Sequence, residues 1–116
     1  MMLILRYVFA VLMIAAGINH LVNPKFYSRF IPDFFSKKLA NIAATVAEIT
    51  TGLLLMFPST VKMGGLSVFA MMIAFLPLHV WDLMKEKPAI GSKKIAVIRL
   101  LLQFVLIYYG WWLWQS

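Results

Sequence analysis

The stretch that decides the fold is residues 95–114, IAVIRLLLQFVLIYYGWWLW. A helix that crosses the roughly 30 Å hydrocarbon core of a bilayer needs about 20 mostly apolar residues. This stretch has that length, and Arg99 and Gln103 are its strongly polar side chains. It therefore predicts a membrane-spanning helix rather than a helix of a soluble domain.

Three further stretches have the same length and apolar character. They are residues 2–22, 39–57 and 63–81. Helix-breaking or basic residues bound them, namely Asn23-Pro24, Pro58-Ser59 and the segment 85–94. Four consecutive spanning helices with modest connections predict an all-α, membrane-embedded antiparallel four-helix bundle. The length allows one domain, which covers residues 1–116.

The composition excludes the main soluble classes. Hydrophobic residues make up 63% of the chain and charged residues 13%, whereas soluble domains have about 45–50% and about 25%. A chain of this size buries only about two-thirds of its surface on folding, so a soluble form would expose a large apolar area. The chain contains no cysteine, which removes disulfides, thiol redox catalysis, iron–sulfur clusters and Cys-based zinc sites.

The net charge of +7 is interpreted as membrane topology rather than as nucleic-acid binding. Four spans place loops 24–38 and 82–94 on the same side, and these loops hold eight Lys and Arg residues. The side that holds the termini has Arg6 and Lys62. The positive-inside rule therefore predicts that both loops face the cytoplasm and both termini face outward, most simply in a bacterial cytoplasmic membrane.

The first basic loop is also rich in aromatic residues. Its aromatic side chains are Phe26, Tyr27, Phe30, Phe34 and Phe35, and its bases are Lys25, Arg29, Lys37 and Lys38. This pattern indicates an interfacial amphipathic segment whose bases face anionic lipid. Two alternatives stay open: a lid over the mouth of the bundle, and a docking surface for a membrane or cytoplasmic protein partner.

Polar side chains inside the spans are the candidate ligand-binding residues. They are Asn19, His20, Glu48, His79, Asp82, Arg99 and Gln103. A charged group at the bilayer centre costs about 2.5–3.5 kcal/mol on insertion scales, so such groups usually face the bundle interior. All four spans contribute, and each contributes from its cytoplasmic half. We therefore predict a common polar pocket that opens toward the cytoplasm, with Glu48 at its floor and paired with Arg99.

The competing interpretation is a buried network that only fixes helix pairing. In that case Glu48 pairs with Arg99, His20 pairs with His79 or Asp82, and no cavity remains. A proline inside a span, here Pro77, favours a cavity because it frees a backbone carbonyl and kinks the helix.

Metal and haem chemistry were also considered for the polar residues. The two histidines are candidates for axial haem ligands, or for a metal site completed by Glu48 or Asp82. Neither arrangement has diagnostic spacing, so no metal ligand and no catalytic residue is assigned.

The order of these features resembles the DoxX-like family of small four-helix integral membrane proteins. The motifs that carry the resemblance are Gly17-Ile18-Asn19-His20, Asn23-Pro24-Lys25-Phe26, Ile31-Pro32, Ala47-Glu48-Ile49 with Gly52, Pro77-Leu78-His79, and Arg99 with Gln103. Nearly the whole chain is covered, and the specificity rests on the polar positions. The resemblance implies no particular binding residue.

What the DoxX-like resemblance implies about function is broad. Some DoxX-type proteins are subunits of quinone-linked membrane oxidoreductases or partners of redox enzymes, and related eukaryotic members are assembly chaperones for nicotinic receptors. We expect a non-catalytic membrane accessory protein with an intramembrane polar pocket for a lipid- or quinone-like ligand. The alternatives are an oxidoreductase subunit and a membrane-protein assembly chaperone. Quinone is the one candidate cofactor, and no nucleic-acid partner is expected. Transport of protons or solutes is a weaker interpretation, and assembly as a homodimer stays an open alternative.

Overall fold

The computed structural model describes residues 2–85, 88 and 90–115. The described residues form helices and no strand, which confirms the all-α prediction. The elements are α1 (Met2–Val22), α2 (Pro24–Ser28), α3 (Lys37–Met56), α4 (Val61–Met84) and α5 (Lys93–Gln115).

The four long helices, α1, α3, α4 and α5, are each long and apolar enough to cross a membrane. Their bounds agree with the predicted spans to within about three residues. Helix α3 begins at Lys37 because the hydroxyl of Ser36 accepts a hydrogen bond from the Leu39 backbone N–H at 3.3 Å. Helix α4 continues past Pro77 and ends only at Met84.

Helix α2 belongs to a segment, residues 23–36, that connects α1 to α3. The Lys37 ammonium donates to the carbonyl oxygens of Ser28 (3.0 Å) and Ile31 (2.8 Å). The Lys85 ammonium donates to the Arg29 carbonyl at 2.7 Å. Because these lysines bind backbone carbonyls at and just after the end of α2, they tie the segment to α3 and to the end of α4.

Helix α1 packs along α3. The imidazole of His20 contacts Asn41, Gly17 lies against Thr45 and Ile49, and Gly52 lies against Ala10 and Ile14. Residues that are later in α1 thus meet residues that are earlier in α3. Small residues at these positions allow the two backbones to approach closely.

Helix α4 packs along α5 in the same manner. Gly65 and Gly110 lie against each other's backbones, and the Gln103 side chain reaches the carbonyl of Met72. Helices α3 and α4 join the two pairs, with a hydrogen bond between the hydroxyls of Thr51 and Ser67.

Within the described residues, α1 and α5 share no close backbone approach. Side chains bridge this gap near the chain termini, where the rings of Phe9 and Tyr109 meet edge to face at 5.6 Å. The buried apolar core occupies the same end and includes Ala10, Met13, Leu55, Val68, Met71, Met72 and Leu113. Buried polar side chains are concentrated at the opposite end, near the α1–α3 and α4–α5 connections.

Candidate functional site

The first group of polar side chains lies between α1, α2 and α3 and is called the α1–α3 cluster. It consists of Asn19, His20, Tyr27, Asn41 and Glu48. Asn41 and Glu48 occupy one face of α3, and that face is buried along its length to Leu55. Only 8% of His20 and 8% of Glu48 is exposed, so the charges in this cluster lie in an environment of low polarity.

Hydrogen bonding determines which nitrogen of His20 carries a proton. The amide nitrogen of Asn41 donates to the Pro24 carbonyl at 3.4 Å, which turns the amide oxygen toward His20 Nδ1 at 2.8 Å. An amide oxygen only accepts hydrogen bonds, so Nδ1 is the donor. In a neutral imidazole the other nitrogen, Nε2, then has no proton.

His20 Nε2 faces the carboxyl oxygen Oε2 of Glu48 at 3.5 Å. A neutral Nε2 and a carboxylate would both be acceptors, so the pair is stable only when it holds one proton. Imidazolium with carboxylate and imidazole with carboxylic acid are both neutral overall, which limits the cost of burial. The His20–Glu48 pair is therefore a proton-holding site.

Glu48 Oε2 is buried, and among the described residues it has no hydrogen-bond partner of good geometry, since His20 Nε2 lies 3.5 Å away. Most buried polar atoms in proteins are hydrogen-bonded, and an exception calls for an explanation. A carboxyl oxygen has two lone pairs and can accept from more than one N–H or O–H donor. Besides the proton that it shares with His20, this oxygen therefore has acceptor capacity that no described side chain uses.

Tyr27 covers the α1–α3 cluster on the side of α2. Its ring stacks on His20 at 3.6 Å between centroids, with an angle of 23°. Its hydroxyl accepts from the Asn19 amide at 2.7 Å, and the Asn19 oxygen accepts from Asn23 at 2.8 Å. The sequence predicts Tyr27 only as an interfacial aromatic, and this role is an addition; the position of Tyr27 just after α1, close to Asn19, was the available signal.

The second group is the α4–α5 cluster, which consists of His79, Asp82, Lys85 and Arg99. Asp82 is fully buried, and its Oδ2 lies 3.0 Å from Arg99 Nη2. The Lys85 ammonium lies 3.5 Å from Asp82 Oδ1. His79 is half-buried and lies close enough to interact with the charges of both Asp82 and Arg99. Although Arg99 Nε has no partner, the Asp82 carboxylate neutralises the guanidinium charge.

The expected pairing of Glu48 with Arg99 is wrong, as is the alternative pairing of His20 with His79 or Asp82. Within the described residues, Glu48 meets His20 and Arg99 meets Asp82. The reason is the way in which the helices pack: α1 packs along α3, and α4 packs along α5. Each charged side chain therefore meets one from the helix along which its own helix packs.

The candidate ligand-binding residues therefore divide between two places instead of lining one pocket. Asn19, His20 and Glu48 belong to the α1–α3 cluster. His79, Asp82 and Arg99 belong to the α4–α5 cluster. Gln103 lies apart and donates to the Met72 carbonyl at 2.6 Å, five residues before Pro77 on α4.

The side chains that were candidates for binding haem iron or a metal ion are also divided between the two clusters. His20 and His79 lie in different clusters. Among the residues that the structure describes, no three His, Asp or Glu side chains gather as metal ligands. The arrangement can accept a hydrogen bond and hold a proton at Glu48, and those are the chemical capacities on which a function can be built.

Comparison with known proteins places the chain in a family. No curated protein and no solved structure gives a significant match. Residues 9–114 match the family described as Domain of unknown function (DUF8561). The matched region includes both polar clusters and most of each long helix. The chain belongs to the DUF8561 family.

Proposed function

We propose that this protein is a non-catalytic accessory protein of the bacterial cytoplasmic membrane. Its four long helices form an antiparallel bundle with both termini outside and the two basic loops in the cytoplasm. The α1–α3 cluster binds the polar head group of a lipid- or quinone-like amphiphile. The DoxX-like resemblance of the polar motifs supports such a role.

Membrane insertion is supported by the outer faces of the long helices. Large apolar side chains point outward along them, for example Leu12 (60% exposed), Val46 (61%) and Leu102 (52%). Exposed apolar area costs about 25 cal/mol per Å² in water. Many such side chains on all four helices make a bilayer the natural solvent for this chain.

The observation that carries the proposal is the buried, unpartnered oxygen of Glu48 beside His20 Nε2. A head group with a hydroxyl would donate to this oxygen and complete its hydrogen bonding. A reduced quinone has such a hydroxyl, and the His20–Glu48 pair already holds a proton in a site of low polarity.

A second candidate function is favoured by the proton-holding pair itself. Oxidation of a quinol to a quinone releases two protons and two electrons, and the His20–Glu48 pair, which is stable with one proton, would relay the protons one at a time. The protein would then serve as a subunit of a quinone-linked oxidoreductase, in which a partner docked on the basic loops supplies the electron acceptor. The two candidates share the same binding site and differ in the need for that partner.

Binding of a decyl-substituted benzoquinol to the detergent-purified protein tests the proposal. A hydrogen bond to a charged group contributes about 1.5–3 kcal/mol, so Glu48→Gln is expected to weaken binding by about tenfold to a hundredfold. Gln103→Leu, which changes a polar residue outside the cluster, is the matched control and should bind like the wild type. Equal affinity of the wild type and Glu48→Gln would contradict the proposal.

A further inference from the structure

A cavity of about 420 Å³ lies between the 23–36 segment and the end of α4. Lys85 of the α4–α5 cluster lines it, but the buried side chains of the two polar clusters do not. We call it the basic cavity. Its lining residues are Ser28, Arg29, Ile31, Asp33, Lys37, Trp81 and Lys85. Three of these carry a positive charge and one carries a negative charge. Lys37 lies beside Asp33, and Lys85 lies 3.5 Å from the buried Asp82 carboxylate, so Arg29 contributes most of the attraction for anions.

Two of the cations are held in place by the backbone. The ammonium of Lys37 is bound by the carbonyls of Ser28 and Ile31. The ammonium of Lys85 is bound by the Arg29 carbonyl and lies 3.8 Å from the centre of the Trp81 ring. Because these contacts fix long side chains before an anion arrives, binding costs less side-chain entropy than it would at free lysines.

Arg29 supplies the donors that an anion would use. Within the described residues, its exposed guanidinium takes part in no ion pair or side-chain hydrogen bond. A guanidinium fork matches the paired oxygens of a phosphate group. Arg29 is therefore the lining residue with the greatest unused capacity for an oxyanion.

The carboxylate of Asp33 is the group that an anion would displace. It lies 3.2 Å from Lys37 Nζ, but its own side chain is fully exposed to solvent. Exposed ion pairs of this kind contribute little to stability, so exchange of Asp33 for a phosphate at Lys37 is inexpensive. Asp33 also repels an incoming anion.

We propose that the basic cavity binds the phosphodiester of an anionic phospholipid, with Arg29 as the principal ligand. The cavity lies where α4 ends and beside Trp81, a residue type that favours the membrane–water interface. Basic pockets between helices on the cytoplasmic side are suited to anionic head groups. This site goes beyond the proposed function, because its residues are distinct from His20 and Glu48.

Native mass spectrometry of protein in nanodiscs that mix phosphatidylglycerol with phosphatidylcholine tests the proposal. The wild type should retain phosphatidylglycerol in preference to phosphatidylcholine. Arg29→Gln should reduce the retained phosphatidylglycerol at least fivefold. Asp33→Asn should raise it at least twofold, because the variant removes the competing carboxylate while keeping the side-chain size.

Lys38→Gln is the matched control, since it removes a charge from the same loop without changing the lining of the cavity. It should change retention less than twofold. A loss with Lys38→Gln equal to that with Arg29→Gln would show diffuse surface attraction and overturn the proposal. Equal retention of the two lipids by the wild type would also overturn it.

Inorganic phosphate separates a lipid site from a site for the free anion. Added at millimolar concentration, it should leave the bound phosphatidylglycerol in place, because the glycerol and acyl groups contribute contacts that phosphate lacks. Displacement by inorganic phosphate alone would overturn the assignment to a lipid. Glu48→Gln should leave this retention unchanged, so the outcome is independent of ligand binding in the α1–α3 cluster.

Discussion

The two polar clusters lie at the same end of the helices, yet their buried carboxylates have different partners. In the α4–α5 cluster, a fully buried Asp82 faces Arg99 at 3.0 Å. In the α1–α3 cluster, a buried Glu48 faces His20 at 3.5 Å and keeps an oxygen without a hydrogen bond. The first arrangement is a neutralised ion pair, and the second leaves an acceptor free.

The partner of each carboxylate determines whether that carboxylate can change its protonation. Arginine side chains remain protonated in proteins, so the Asp82 carboxylate must stay charged to balance the positive charge of Arg99. His20 can pass its proton to Glu48, so the pair can move between its two neutral forms without leaving an isolated charge. We infer that the α4–α5 cluster holds helices together and that the α1–α3 cluster is the one available for binding.

The largest expected effect is that of Asp82→Asn. This variant leaves the Arg99 guanidinium buried without a counter-charge, which typically costs about 3–5 kcal/mol. SDS titration of the protein in dodecyl maltoside measures the free energy of unfolding. The exposed carboxylate variant Asp33→Asn is the control, with an expected change below about 0.5 kcal/mol. Similar stabilities for the two variants would contradict a structural role for Asp82.

The next largest effect concerns the close helix contacts within the α1–α3 and α4–α5 pairs. A Cβ at Gly110 would lie 2.6 Å from the backbone nitrogen of Phe69, whereas at Gly17 the nearest backbone atom is the Thr45 carbonyl oxygen at 3.2 Å and the closest atom is Cγ1 of the Ile49 side chain at 2.7 Å. Backbone cannot move aside as a side chain can. Gly110→Ala should therefore cost about 1–3 kcal/mol and Gly17→Ala clearly less, by the same titration. The reverse order would show that α1–α3 is the tighter joint.

The spans and their ends could be predicted from the sequence, because uninterrupted apolar length and flanking Pro and Lys residues are local signals. Helix α5, for example, was predicted from residue 95 and is observed from Lys93.

The partner of each charged residue was not predicted. The position of a side chain along the helix axis does not say which neighbouring helix it faces. Because one common pocket was expected, Glu48 was predicted to pair with Arg99 across the bundle. Position along the chain contained the missing signal: Asp82 and Arg99 both lie close to the connection between α4 and α5, and His20 and Asn41 both lie close to the connection between α1 and α3. Consecutive helices are usually adjacent in space, and residues on either side of one connection then lie at the same end of both helices, which favours the pairs that are observed.

Glu48→Gln should have a small effect on stability, and this sharpens the contrast with Asp82. Once the carboxylate is neutral, His20 can lose its proton, so no buried charge is left without a partner. The expected loss in the free energy of unfolding is about 1 kcal/mol or less. A loss as large as that of Asp82→Asn would assign both clusters the same structural role.

The smallest effect is expected for Gln103→Leu, which removes the hydrogen bond to the Met72 carbonyl. Hydrogen bonds between membrane helices contribute about 0.6 kcal/mol on average. Detergent unfolding should show a loss of about that size, while quinol binding stays at the wild-type level. A marked loss of quinol binding would extend the binding site to the α5 side.

The most direct test of the central claim is the stabilisation that a bound ligand gives. With the reduced decyl benzoquinol at about a hundred times the wild-type dissociation constant, wild type and Gln103→Leu should each gain about 2.7 kcal/mol in the free energy of unfolding. Glu48→Gln should gain about 1.4 kcal/mol or less, because its affinity is at least about tenfold weaker. An equal gain in Glu48→Gln and wild type would contradict the assignment of binding to the α1–α3 cluster.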